Sequence, residues 1–155
     1  MSSSPVDRLF DALNAQKPTR AAQQLDSSYR GVDATRSAVT VGRSAAHAEI
    51  QTGLEAFPAP TFTLHQRLTT PSHETVLWQM EAEHEGSFLQ IPATNRSVTV
   101  RGMSMLSVRD DAITRGIHLW DLAGLLRAVN LLPDLPDPSP DANALSDLPS
   151  FDFST

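Results

Sequence analysis

An α+β fold is the class this sequence predicts, and three observations carry the prediction. Apolar residues recur at helical spacing in three stretches before Pro58. The period then drops from 3.6 to 2 between Thr61 and Trp120, the mark of strands. A last helical stretch follows Trp120, so helices and strands are segregated rather than alternating.

Leu9, Phe10 and Leu13 predict a helix over Asp7–Ala15, and Pro18 stops it or starts the next. A second short helix is expected over Thr19–Leu25. Ser27-Ser28-Tyr29-Arg30-Gly31-Val32-Asp33 follows neither period and reads as irregular. A third helix over Gly42–Ala56 carries Ala46, Ile50, Leu54 and Phe57 as its apolar stripe, ended by Pro58 and Pro60. In Thr61–Leu68, Phe62 and Leu64 alternate with Thr61, Thr63 and His65, giving a strand. The strand Glu74–Gly86 aligns Val76, Trp78, Met80, Ala82 and His84 on one face, with Gln79, Glu81, Glu83 and Glu85 on the other. Ser97–Arg109 and Ala112–Trp120 are two further strands joined by a turn at Asp110-Asp111. Asp121–Asn130 closes the domain as a helix burying Leu122, Leu125, Leu126 and Val129. The sheet is expected to be an antiparallel run of about four long strands.

The 155 residues suit one domain, and the composition narrows its chemistry. The chain has no cysteine, which excludes disulfides, thiolate metal sites and a cysteine nucleophile. With no apolar run of bilayer length and no secretory leader, no membrane is expected and the location expected is cytoplasmic. Eleven arginines against one lysine fit a GC-rich bacterial genome. The net charge of −6 is unevenly placed: residues 133–155 hold five aspartates, five prolines and no basic residue, leaving about −1 on residues 1–132. A boundary is therefore expected at Pro133, between a domain over 1–132 and a Pro/Asp-rich extension over 133–155. The extension also carries Leu145, Phe151 and Phe153, so it either grips a groove, crosses to a second subunit or stays in solvent. A near-neutral domain has no surplus of cations for duplex nucleic acid, and none is expected as a partner.

Several strings occur in a telling order: Leu9-Phe-Asp-Ala-Leu-Asn14, Tyr29-Arg-Gly-Val-Asp33, Gly42-Arg-Ser-Ala-Ala46 and Ala56-Phe-Pro58. They continue with Trp78, with His84-Glu-Gly-Ser-Phe-Leu-Gln-Ile-Pro-Ala-Thr-Asn-Arg96, and with Asp121-Leu-Ala-Gly-Leu-Leu-Arg-Ala-Val-Asn-Leu-Leu-Pro133. Together they resemble the SnoaL-like polyketide cyclase branch of the nuclear transport factor 2-like superfamily. The resemblance implies a bent sheet wrapped around helices as a cone with an internal apolar pocket, and a homodimer through the outer sheet face. It also implies a general acid/base carboxylate at the end of the last strand, which falls on Asp121. Gly116 and Ile117 stand where such cyclases carry a His-Trp pair, and His118 shares Gly116's side of the strand.

Each candidate residue has two readings. Asp121 is placed as an acid/base or as a helix N-cap. His118 and His84 are placed as enolate-stabilising imidazoles of the site, or as packed and rim histidines. Trp78, Trp120, Tyr29 and Met80 are expected to line the pocket, and each equally suits a core. His47, His65 and His73 do not pair at metal spacing, so neither a metal nor a cofactor is expected. The function this points to is binding of a small hydrophobic carbonyl compound, with cofactor-free cyclisation or isomerisation by proton transfer. The alternative is a non-catalytic ligand-binding or dimeric assembly module of the same fold.

Overall fold

The computed structural model describes residues 3–136. The segment 137–155, most of the expected extension, lies outside the described residues. Helix α1 (Pro5–Asn14) starts on a capping box: Ser4 Oγ accepts from the Asp7 N–H at 3.1 Å, and the Asp7 carboxylate accepts from the Ser4 N–H at 3.0 Å. Pro5 sits in the first turn, where a helix needs no N–H donor. Helix α2 (Pro18–Ala22) is shorter than expected, because Leu25 already belongs to a strand.

Six strands make one sheet in the order β2-β1-β6-β5-β4-β3. They are β1 (Leu25–Asp33), β2 (Ala38–Val41), β3 (Thr61–Thr69), β4 (His73–Glu83), β5 (Ser97–Arg109) and β6 (Ala112–Trp120). The run from β3 to β6 is antiparallel, and Asp110 and Asp111 turn β5 into β6 with φ of 51° and 59°, as a tight hairpin requires. Two expectations are corrected here. The segment read as irregular is β1, and it joins β6 in parallel, so the sheet is mixed rather than wholly antiparallel. Its alternation is hidden because a register shift between Leu25 and Arg30 breaks the period and polar Asp26, Ser27 and Ser28 fill the gap. β4 ends at Glu83, not Gly86. Beyond it the Glu85 and Gly86 N–H groups both turn to the Ala56 carbonyl at the end of α3, at 2.9 and 3.1 Å.

Helix α3 (Arg43–Ala56) crosses the inner face of the sheet, and α4 (Leu122–Ala128) closes one end. Two clusters form the core. Val6, Phe10, Leu25, Val76, Leu106 and Ile113 pack under α1, while Phe57, Met80, Val98, Val100, Leu125 and Val129 pack under α4. Phe62 and Trp78 border both clusters, with Phe62 edge-on to Phe10 at 5.6 Å and to Trp78 at 5.9 Å.

One ion-pair network ties α1 to the sheet. Arg67 on β3 reaches Glu74 of β4 at 2.7 Å and Asp7 of α1 at 2.8 Å. The Glu74 side chain is only 4% exposed, so loss of that guanidinium would leave a buried polar group without its ion-pair partner. Arg67→Met is expected to cost about 2 kcal/mol, the usual loss when a charged hydrogen-bond partner is removed from a buried group. Urea denaturation of the variant measures it.

Candidate active site

Between α1, α3, α4 and the inner sheet face lies a cavity of about 340 Å³. Its wall is almost wholly apolar, with Leu13, Ile50 and Leu54 from the helices and Phe62, Met80 and Val100 from the sheet. That volume and lining suit a small, largely hydrophobic molecule. The polar residues that line it are few: Tyr29, Ser104, His118, Glu49 and the two tryptophans, Trp78 and Trp120.

Four of them form a continuous chain. The Trp78 indole N–H donates to Ser104 Oγ at 3.0 Å, Ser104 Oγ lies 2.8 Å from His118 Nδ1, and His118 Nε2 lies 3.1 Å from Tyr29 Oη. Strand register explains the assembly. Trp78, Ser104, His118 and Tyr29 all point inward from four different strands, and Ser104 is directly opposite His118 in the β5–β6 ladder. Glycines make the room. Gly31 and Gly116 face each other across β1 and β6, and a Cβ on either would lie 2.5 or 2.7 Å from Tyr29 Oη. A Cβ on Gly102, opposite Trp78, would lie closer to Cζ2 of the indole than such contacts allow.

Burial and charge set the protonation of this chain. Burial pushes the Tyr29 hydroxyl up to about 12, helped by the Glu49 carboxylate, so the phenol keeps its proton. Burial also lowers the His118 pKa, only partly opposed by the charges of Asp33 and Glu49, so the imidazole is neutral at pH 7. Asp33 is itself engaged. Burial alone would raise its carboxyl, but hydrogen bonds from Arg36 and Trp120 outweigh it and hold the group below the usual carboxylate range.

The structure brings five of the seven sequence candidates into the cavity wall: His118, Trp78, Trp120, Tyr29 and Met80. The other two stand elsewhere. Asp121 is exposed and caps α4, accepting from the Gly124 N–H at 2.9 Å, and it does not line the cavity. His84 is 2% exposed behind the cavity, its ring 5.3 Å from that of Phe57 and its Nδ1 3.0 Å from Thr94 Oγ1. Sequence reasoning missed Ser104 and Glu49. Glu49 sits one turn after Ala46 and one before Gly53, beside the apolar stripe of α3, and that placement was the available signal. Its Oε1 accepts from Thr40 Oγ1 at 2.6 Å.

Stability should report His118 directly. In the unfolded chain it titrates near 6.5, and in the fold its pKa lies lower. The unfolded state therefore takes up the proton first as the pH falls. Stability is expected to be full above about pH 6.5, to decrease below it, and to level off once the folded value is passed. The depressed carboxyls of Asp7 and Asp33 act lower, below 3.8. Denaturant midpoints measured across this range check the loss, and His118→Gln should flatten it.

The mixed sheet, the helix across its inner face and the cavity between them define a cone of the nuclear transport factor 2 and ketosteroid isomerase type. Solved structures share it. The chain is similar to a candidate SnoaL-like polyketide cyclase from Jannaschia sp. CCS1, with 19% identity, a TM-score of 0.74, and 83% of this chain and 91% of that one covered. It is similar to TsrD from Streptomyces laurentii at 21% identity and TM-score 0.73, over 85% of this chain and 99% of that one. A hypothetical protein of ketosteroid isomerase-like fold from Catenulispora acidiphila matches at 15% identity and TM-score 0.72, over 85% and 96% of the two chains. A search of the curated proteins gives no match. Residues 5–129 match the SnoaL-like polyketide cyclase family, and the chain belongs to that family. Among the described residues, no group of three acidic or histidine side chains could hold a metal ion, and no helix is long and apolar enough to cross a membrane.

Proposed function

We propose that this protein binds a small hydrophobic carbonyl compound in the cone and rearranges it by cofactor-free proton transfer, as a cyclase or isomerase. The observation that carries this reading is the chemical contrast inside the cavity: apolar walls, and one polar cluster built around a protonated Tyr29. Tyr29 O–H accepts no charge itself and is suited to hold a carbonyl oxygen. Glu49 is the base. It takes the proton from the carbon beside the carbonyl, the C–H electron pair becomes a carbon–carbon double bond, and the carbonyl π pair moves to the oxygen held by Tyr29. The enolate carbon then attacks a second carbonyl, whose oxygen takes the proton back from Glu49. Alternatively Glu49 returns the proton to a different carbon, which is an isomerisation. This assignment moves the base from Asp121, which is occupied by its helix cap, to Glu49.

Deuterium uptake from D2O into 2-tetralone, a bicyclic ketone with an acidic methylene group, tests the proposal without knowledge of the natural substrate. Acceleration over buffer that is lost in Glu49→Gln and Tyr29→Phe supports it. No acceleration by the wild-type protein would leave the second reading, a binding module without turnover, which the placement of Asp121 outside the cavity favours.

The outer sheet face supports a homodimer. Val39, Val32, Ile117 and Met105 run in one row across β2, β1, β6 and β5, and Leu119 pairs with Met103 beside them. These side chains are 37–59% exposed, a contiguous apolar patch that a second copy would cover. Ile117→Glu is expected to yield a monomer in sedimentation-velocity runs, with little change in the far-ultraviolet circular dichroism.

A further inference from the structure

The direction of the hydrogen-bond chain is not free, because its first member has no choice. An indole nitrogen donates and cannot accept, so the Trp78–Ser104 bond uses a lone pair of Ser104 Oγ. Ser104 is 3% exposed, and its own hydroxyl proton needs an acceptor. Among the described residues the acceptor in reach is His118 Nδ1, at 2.8 Å. If Nδ1 instead carried a proton, Ser104 Oγ would face two donors and its own proton would have no acceptor among the described residues. That arrangement strands a buried polar hydrogen, which is the costlier of the two.

We infer that Trp78 is a positioning residue for Tyr29: through Ser104 it fixes His118 as the Nε2–H tautomer, so that the imidazole donates to Tyr29 Oη and the phenol proton is turned into the cavity. The consequence follows from counting donors. With Nε2–H donating at 3.1 Å, Tyr29 Oη is already an acceptor. Its O–H has no other acceptor among the described residues, and the cavity is the space it faces. In the opposite tautomer Tyr29 would spend its proton on Nε2, and the cavity would meet only the lone pairs of a phenol. So one indole N–H, two residues removed, decides whether the polar end of the cavity presents a donor or an acceptor. A donor matches a neutral carbonyl oxygen. The neutrality of His118 matters as well, since an imidazolium would donate from both nitrogens and break the chain at Ser104. Gly102 belongs to the same device, because only a residue without Cβ lets the indole lie flat enough to reach across to Ser104.

For its catalytic meaning the inference rests on the proposed proton-transfer site, but its test needs no substrate. Long-range proton–nitrogen NMR spectra of the intact, histidine-labelled protein at pH 8 distinguish a protonated ring nitrogen from a bare one. The expected result is His118 at least tenfold in favour of Nε2–H. Trp78→Phe removes the donor and keeps an aromatic ring in place, and it should reduce that preference to a mixture of the two tautomers. Ser104→Ala, which cuts the chain at the next link, should do the same if Trp78→Phe does not fold. A wild-type His118 protonated at Nδ1, or a tautomer ratio that neither substitution moves, overturns the inference. Failure of the deuterium exchange with the tautomer ratio as expected would sink the catalytic reading and leave this device standing.

Discussion

Glu49→Gln lowers the rate of deuterium uptake into 2-tetralone by about a hundredfold or more, the usual contribution of a positioned general base. The fold should survive. Glutamine still offers an oxygen to the Thr40 hydroxyl that the carboxylate holds at 2.6 Å, and the residue lies on an exposed position of α3. A second readout comes with it. The Glu49 carboxylate helps to raise the Tyr29 hydroxyl and to hold up the His118 pKa, so its loss should let both fall. Ultraviolet titration of Tyr29, the single tyrosine of the chain, follows the first of these cleanly. An unchanged exchange rate in Glu49→Gln would remove the base from the mechanism even if the tyrosine titration moved as expected.

Gly116→Ala should be a damaging small substitution at the centre of the polar cluster. The new Cβ would sit 2.7 Å from Tyr29 Oη and 2.8 Å from His118 Nε2, both closer than such contacts allow. The cost is steric rather than torsional, since Gly116 does not have a positive φ. The two polar atoms are locked by their own partners, Tyr29 in the core and His118 on Ser104, so relief requires opening the bond between them. Overpacking of this kind costs about 1–3 kcal/mol. Urea midpoints measure the cost, and exchange into 2-tetralone should drop with it. Gly31→Ala presses on the same hydroxyl from the facing strand, so the double variant should lose less than the two losses added.

Much of this was legible from the sequence. The alternation of Val76, Trp78 and Met80, and of residues 97–109, fixed both the strands and their inner faces, because half-buried strands must alternate. Trp78, Trp120, Met80 and His118 reach the cavity for the same reason. β1 was not legible. Its inward residues are Leu25, Tyr29 and Gly31, spread around a register shift, and what makes it a strand is pairing with β6 far along the chain. Asp121 illustrates a different limit: a carboxylate at a strand end is equally a cap for the next helix, and only geometry separates the two uses. Ser104 lay hidden because a lone serine in an alternating strand carries no signal until its neighbours across the ladder are known.

The parallel junction of β1 with β6 also fixes a timetable. Tyr29 and His118 are 89 residues apart in the chain and meet only through that junction. On the ribosome the first half of the polar cluster is made early and waits while α3 and the β3–β5 meander are synthesised. Contacts across such a separation close slowly, since the loop they shut must be ordered first. Nascent chains that stop short of His118 would therefore hold much of the apolar wall but not the Tyr29–His118 bond.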